Sequence, residues 1–134
     1  MERIEPHYVD FNTAKWLKEK RFDESCNMVW DDWNNLEDWV DEGLGTHRNS
    51  NKNASIYYSA PEQWLVVEWL RVNHGIHVTY EWDYSYSSER EYYFYKIKFK
   101  GNDGFIKLIT GESVSSPQEA YSTSFDYIKE NNLI

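Results

Sequence analysis

Ile76-His-Val-Thr-Tyr-Glu-Trp-Asp-Tyr-Ser-Tyr86 decides the fold. Its even positions carry Ile76, Val78, Tyr80, Trp82, Tyr84 and Tyr86, and its odd positions His77, Thr79, Glu81, Asp83 and Ser85. Unbroken alternation of this kind marks a strand with one dry and one wet face. Polar Ser87 to Glu91 reads as a turn with its flanks, and a second strand follows over 92–100, with Tyr93, Tyr95, Ile97 and Phe99 on one face. A hairpin centred between Ser88 and Glu89 sets Tyr80 opposite Ile97, Val78 opposite Phe99 and Glu81 opposite Lys96. The last is a favourable cross-strand charge pair. Asn102-Asp103, between Gly101 and Gly104, suits a two-residue turn. It sets Ile106 opposite Phe99 and Leu108 opposite Ile97, on the same dry face, with Lys107 opposite Lys98 as a like-charge pair. Tyr80, Ile97, Phe99 and Leu108 are thus expected to be buried together.

Three strands need a helical cover, and helix signals flank them. Asp10 or Asn12 can cap a helix to about Arg21, with Phe11, Ala14 and Leu17 on one side. Ser59 and Glu62 form a capping box for a helix from Ala60 that Gly75 would end. Apolar on most sides, with Trp64, Val67 and Leu70 among its residues, that helix reads as largely buried. Ser116 and Glu119 form another capping box, with Pro117 at the first helical position and Tyr121, Phe125 and Ile128 in helical spacing. The expected fold class is α+β: a three-stranded antiparallel meander sheet with helices packed on one face, in one domain spanning 1–134.

The 134 residues suffice for one core, and 7 Trp and 11 Tyr supply much of its apolar surface. A net charge of −9 argues against direct binding to nucleic-acid phosphates or anionic membranes, and points to a partner with a basic surface. No apolar run has the length of a membrane span, and Met1 to Pro6 lacks the pattern of a secretion signal. One cysteine, Cys26, allows no internal disulfide and fits a reducing compartment, so a cytoplasmic location is expected.

Residues 26–55 read as a variable acidic and loop insertion. Val29, Trp30, Trp33, Leu36 and Val40 fit a helical stripe, while Met28-Val29-Trp30 fits a short strand equally well. Eight acids and no Lys or Arg lie between Asp23 and Glu42, interleaved with Trp30, Trp33 and Trp39. Read as a helix, Trp30, Trp33 and Leu36 anchor the segment. Asp31, Asp32, Asp38, Trp39, Asp41 and Glu42 then face outward as a partner-binding surface, since interface anchors are rich in tryptophan.

No reaction centre is legible. Asp32-x-Asn34 opens like a calcium loop, but Glu37 stands where such a loop needs glycine. His74 and His77 straddle a helix end and a strand, which points them apart. Cys26 has no nucleophile signature, and nearby acids would raise its pKa. Neither a metal nor a cofactor is expected, nor an enzymatic activity. Asn53-Ala54-Ser55 is a formal glycosylation sequon without a secretion signal.

Three stretches, Tyr8 to Cys26, Tyr58 to Val78 and Ser116-Pro-Gln-Glu-Ala120 with the closing Asn-Leu-Ile134, resemble a set of small uncharacterised proteins encoded by phages and prophages of gut bacteria. Those relatives often carry Gly where this chain has Arg21, and a strand-like segment after the cysteine. The resemblance implies a small accessory protein acting in a bacterial host cell, and assigns no activity or functional residue. The expected function is binding of a host or phage protein through the acidic, aromatic surface, with inhibition of a host defence component as its purpose. The other readings are an acidic mimic of nucleic acid in a phosphate-binding groove and a small-ligand binder with an aromatic pocket.

Overall fold

The computed structural model describes residues 5–51 and 56–134; the Asn53 sequon lies outside them. The chain is α+β and divides into two compact units, Met1–Glu62 and Gln63–Ile134. Each has its own three-stranded antiparallel sheet.

In the first unit, α1 (Phe11–Glu19) starts at Asp10, whose side chain accepts from the Thr13 N–H, and buries Thr13, Ala14 and Leu17. It ends in a Schellman turn: Phe22 N–H donates to Leu17 O and Arg21 N–H to Lys18 O, with Phe22 fully buried behind them. This turn forces Arg21 to φ 65°, where a side chain is strained and glycine is not. Arg21→Gly should therefore stabilise the unit by about 0.5–1 kcal/mol, read as a higher urea midpoint at unchanged slope.

The segment after Cys26 forms strands. β1 (Met28–Asp31) lies between β2 (Leu36–Asp38) and β3 (Tyr57–Ser59). The supposed insertion thus supplies two of the three strands of this sheet, and the helical stripe reading is overturned. Asp31, Asn34 and Asn35 are the cause: they form a tight turn, described below, that no helix could contain. The Ser59–Glu62 capping box is also overturned. Ser59 pairs with Val29, its side chain bonds His47, and its N–H donates to Asn49 Oδ1. Spent on the sheet, Ser59 cannot cap.

The second unit opens with α2 (Gln63–His74), which buries Gln63, Val66, Trp69 and Leu70 and leaves Trp64 and Val72 exposed. It is less buried than its composition suggests, and Gly75 ends it at φ 64° as expected. α3 (Pro117–Glu130) begins at Ser116, which caps the Glu119 N–H; the Glu119 carboxylate reaches one residue further back, to Ser115. Gln63 Nε2 donates to Gln118 O and Ser122 Oγ, tying the two helices together.

Between them runs the meander of β4 (His77–Ser85), β5 (Arg90–Lys100) and β6 (Ile106–Thr110), with helices on the face of Val78, Tyr95 and Ile97. The first hairpin is shifted two residues from the expected register: Val78 faces Ile97, Tyr80 faces Tyr95 and Glu81 faces Phe94. The turn is Tyr86 to Glu89, with Glu89 at φ 54°. A shift of two preserves every facing. Glu81 and Lys96 still meet on the wet side, now diagonally, at 2.8 Å.

The second hairpin is shifted by one residue, which turns β6 over. Its loop has five residues, Gly101 to Phe105. Gly101 N–H donates to Phe105 O, Gly104 N–H to Gly101 O, and Gly104 takes φ 85° as the extra bulge residue. Leu108 therefore faces Lys98 and stands 56 % exposed, while Ile109 faces fully buried Ile97. Tyr80 is also exposed in part, and Phe99 is half-buried, so the expected four-residue cluster reduces to Ile97. The one-residue shift removes the Lys98–Lys107 clash: Lys107 faces Phe99 and binds Asp103 at 2.8 Å.

Candidate functional site

The acidic segment is built on the β1–β2 hairpin. Asp31, buried and directed inward, organises the tip: its Oδ1 accepts from the N–H groups of Trp33 and Asn35, both at 2.9 Å, and its Oδ2 from Asn35 Nδ2 at 3.3 Å. The Asn35 N–H above all, with its side-chain amide and the Trp33 N–H, holds this carboxyl below its ordinary pKa. Asn34 closes the turn at φ 64°, a conformation asparagine tolerates better than most residues. The result is a fixed tip that projects Trp33, 71 % exposed, into solvent.

The two tryptophans thus exchange the places expected of them. Trp39 turns inward after β2, edge-on to His47 at 4.9 Å and to Tyr57 at 5.1 Å, with its indole nitrogen buried. Trp30 is half-buried, donates to Val9 O at 2.9 Å and packs against Phe11. Asp31 and Trp39 are therefore structural and leave the proposed contact surface. Trp39→Ala should destabilise the unit by about 1–3 kcal/mol, less than for a fully buried ring. Trp33→Ala should change stability by no more than about 0.5 kcal/mol, as at an ordinary surface site. Urea unfolding of the two variants checks the exchange.

Four carboxylates remain outward. Asp32 accepts from the Tyr58 hydroxyl at 2.9 Å, a bond that, after burial, helps raise the tyrosine's pKa. Asp38 accepts from the Asp41 N–H and shapes the chain after β2. Asp41 and Glu42 are exposed, with no side-chain partner among the described residues. Leu36, Val40 and Leu44 are exposed in the same stretch. The segment thus offers one indole on a braced turn, and charge and apolar side chains on the loop after β2. Asp31-Asp-Trp-Asn-Asn35 carried the signal for this arrangement, since Asp and Asn cluster in turns that bond their own backbone.

Behind the sheet, His47 is 0 % exposed; its Nδ1 shares a 2.7 Å hydrogen bond with Ser59 Oγ. Its backbone pairs with Cys26. Burial, and then the Lys18 charge, push the imidazole down to about 4. Burial pushes the Cys26 thiol up to about 11, opposite to what a nucleophile needs. His74, stacked edge-on against Trp69, and His77 lie on different elements. Among the described residues no group of three or more His, Cys, Asp or Glu could hold a metal ion, and no helix is long and apolar enough to cross a membrane. The chain matches no family model, no curated protein and no solved structure.

Proposed function

We propose that this chain is a phage-type accessory protein that binds a host or phage protein with a basic surface, through the β1–β2 hairpin with Asp32 and Trp33 at its turn and the loop after β2 with Asp41 and Glu42. One observation carries the reading: a large indole stands exposed on a turn braced by Asp31, while Asp41 and Glu42, past the other end of the same hairpin, are exposed with no side-chain partner among the described residues. A rigid aromatic anchor loses little entropy on docking, and exposed carboxylates of the same segment steer a cationic partner toward it, since steering acts over several ångströms. The resemblance to phage accessory proteins makes a component of a host defence system the first partner class to test.

Capture from lysate of gut bacteria on the immobilised chain, with mass spectrometry, supplies partners for kinetic measurement. Asp41→Lys combined with Glu42→Lys should lower the association rate about tenfold or more at low salt, because steering acts on encounter. Trp33→Ala should instead raise the dissociation rate, with little change in salt dependence. An affinity that collapses with salt while ignoring Trp33→Ala would favour the nucleic-acid mimic.

A further inference from the structure

The meander ends in an edge that nothing within its unit covers. β6 pairs with β5 on one side only. Gly101 with Phe105 and Gly111 with Tyr95 are hydrogen-bonded positions of this ladder. Antiparallel pairs alternate, so Lys107 and Ile109 also turn their backbone groups toward β5. The N–H and C=O groups of Ile106, Leu108 and Thr110 consequently point away from the sheet. Among the described residues no hydrogen bond to them is present besides the ladder.

Edges of this kind are ordinarily blunted by proline, inward lysines or bulges. β6 contains no proline, and its lysine is drawn back to Asp103 of its own loop. Ile106, 63 % exposed, and Leu108 lie on the face that the helices leave open. The opposite edge, β4, carries Glu81 and Asp83 exposed on that face, a poor surface for self-pairing.

We propose that a second copy of this chain docks on β6, antiparallel and centred on Leu108, joining two meanders into one six-stranded sheet. Charge and hydrogen bonding select the register. Pairing Leu108 with Leu108 of the second copy sets Ile106 opposite Thr110 and Lys107 opposite Ile109. All outward backbone groups of the strand are then used, about six hydrogen bonds in all. A shift that pairs Ile106 with Leu108 would set Lys107 against Lys107 in a close pair and lose two of those bonds. The contact is a two-fold, closed one, and its small area makes the dimer a weak, reversible one.

Sedimentation velocity of the full chain at physiological salt, over a micromolar-to-millimolar series, should show a reversible monomer–dimer equilibrium. Leu108→Lys should weaken it at least about tenfold, by placing two lysines on the symmetry axis, while thermal unfolding stays unchanged. Leu108→Cys should form a disulfide-linked dimer as dioxygen takes up the two electrons and two protons of the thiol pair, and Lys107→Cys should not, since its partner position is Ile109. Cys26 is buried and does not compete. A wild-type chain that stays monomeric throughout, a Leu108→Lys chain that dimerises like wild type, or equal cross-linking at 107 and 108 would each overturn the proposal.

Discussion

Ile97→Ala should lower the stability of the Gln63–Ile134 unit by about 2–5 kcal/mol, whereas Leu108→Ala should cost no more than about 0.5 kcal/mol. Both are branched aliphatic residues in the same sheet, one strand position from being partners. Ile97 is fully buried between Val78 and Ile109, under the helices, so its truncation loses the transfer free energy of three carbons and leaves a cavity. Leu108 stands on the open face, where truncation removes little that the fold buries. Had β6 kept the facing expected of a two-residue turn, the two costs would be similar. Urea unfolding with a common slope decides between the two arrangements.

Acid should weaken the first unit through His47. His47 sits fully buried against Ser59 and Trp39, with its imidazole pushed from 6.5 down to about 4 by burial and, secondarily, by Lys18. In the unfolded chain this histidine takes up a proton below about pH 6.5; in the folded chain it does so only near 4. The unfolded state binds more protons between those values, so stability is complete above the upper one and falls as pH drops through the window. The slope approaches about 1.4 kcal/mol per pH unit for one proton. Asp23 and Asp31, whose carboxyls are held below 3.8, add a further loss only at lower pH. His47→Gln should flatten the slope between pH 6.5 and 4 whatever it does to absolute stability. An unchanged slope in that variant would assign the effect to another group.

The sequence exposes its face pattern more reliably than its registers. Alternation over 76–86 and 92–100 survives a two-residue error, because a slip of two leaves every side chain on its own side. The next hairpin shows the opposite sensitivity. Gly101-Asn-Asp-Gly104 admits both a two-residue turn and a five-residue loop with a left-handed Gly104, and the single residue between them inverts Ile106, Leu108 and Ile109. The like-charge pair Lys98–Lys107 was the local sign that the shorter turn is disfavoured. Helix ends were legible where side chains cap them, as at Asp10 and Ser116, and misleading at Ser59, whose hydroxyl is claimed by His47 from a distant loop. No local pattern announces that partnership.

The acidic segment was legible in composition and misread in orientation. Its carboxylates and tryptophans are where a helical reading collected them, yet a strand–turn–strand path sends Asp31 and Trp39 inward and Trp33 outward. Apolar spacing over Val29, Trp30, Trp33 and Leu36 fits both paths, and only the Asp/Asn cluster separates them.

The claim that the β1–β2 hairpin and the loop after it form the contact surface is tested most directly by placing a photo-crosslinking amino acid at Trp33 and, as control, at Tyr86, which is 88 % exposed on the other unit. Irradiation in a lysate of gut bacteria should yield one dominant protein adduct from position 33. That adduct should be absent from position 86 and suppressed when Asp41→Lys and Glu42→Lys are added. No adduct at 33, or the same adducts at both positions, would contradict the account.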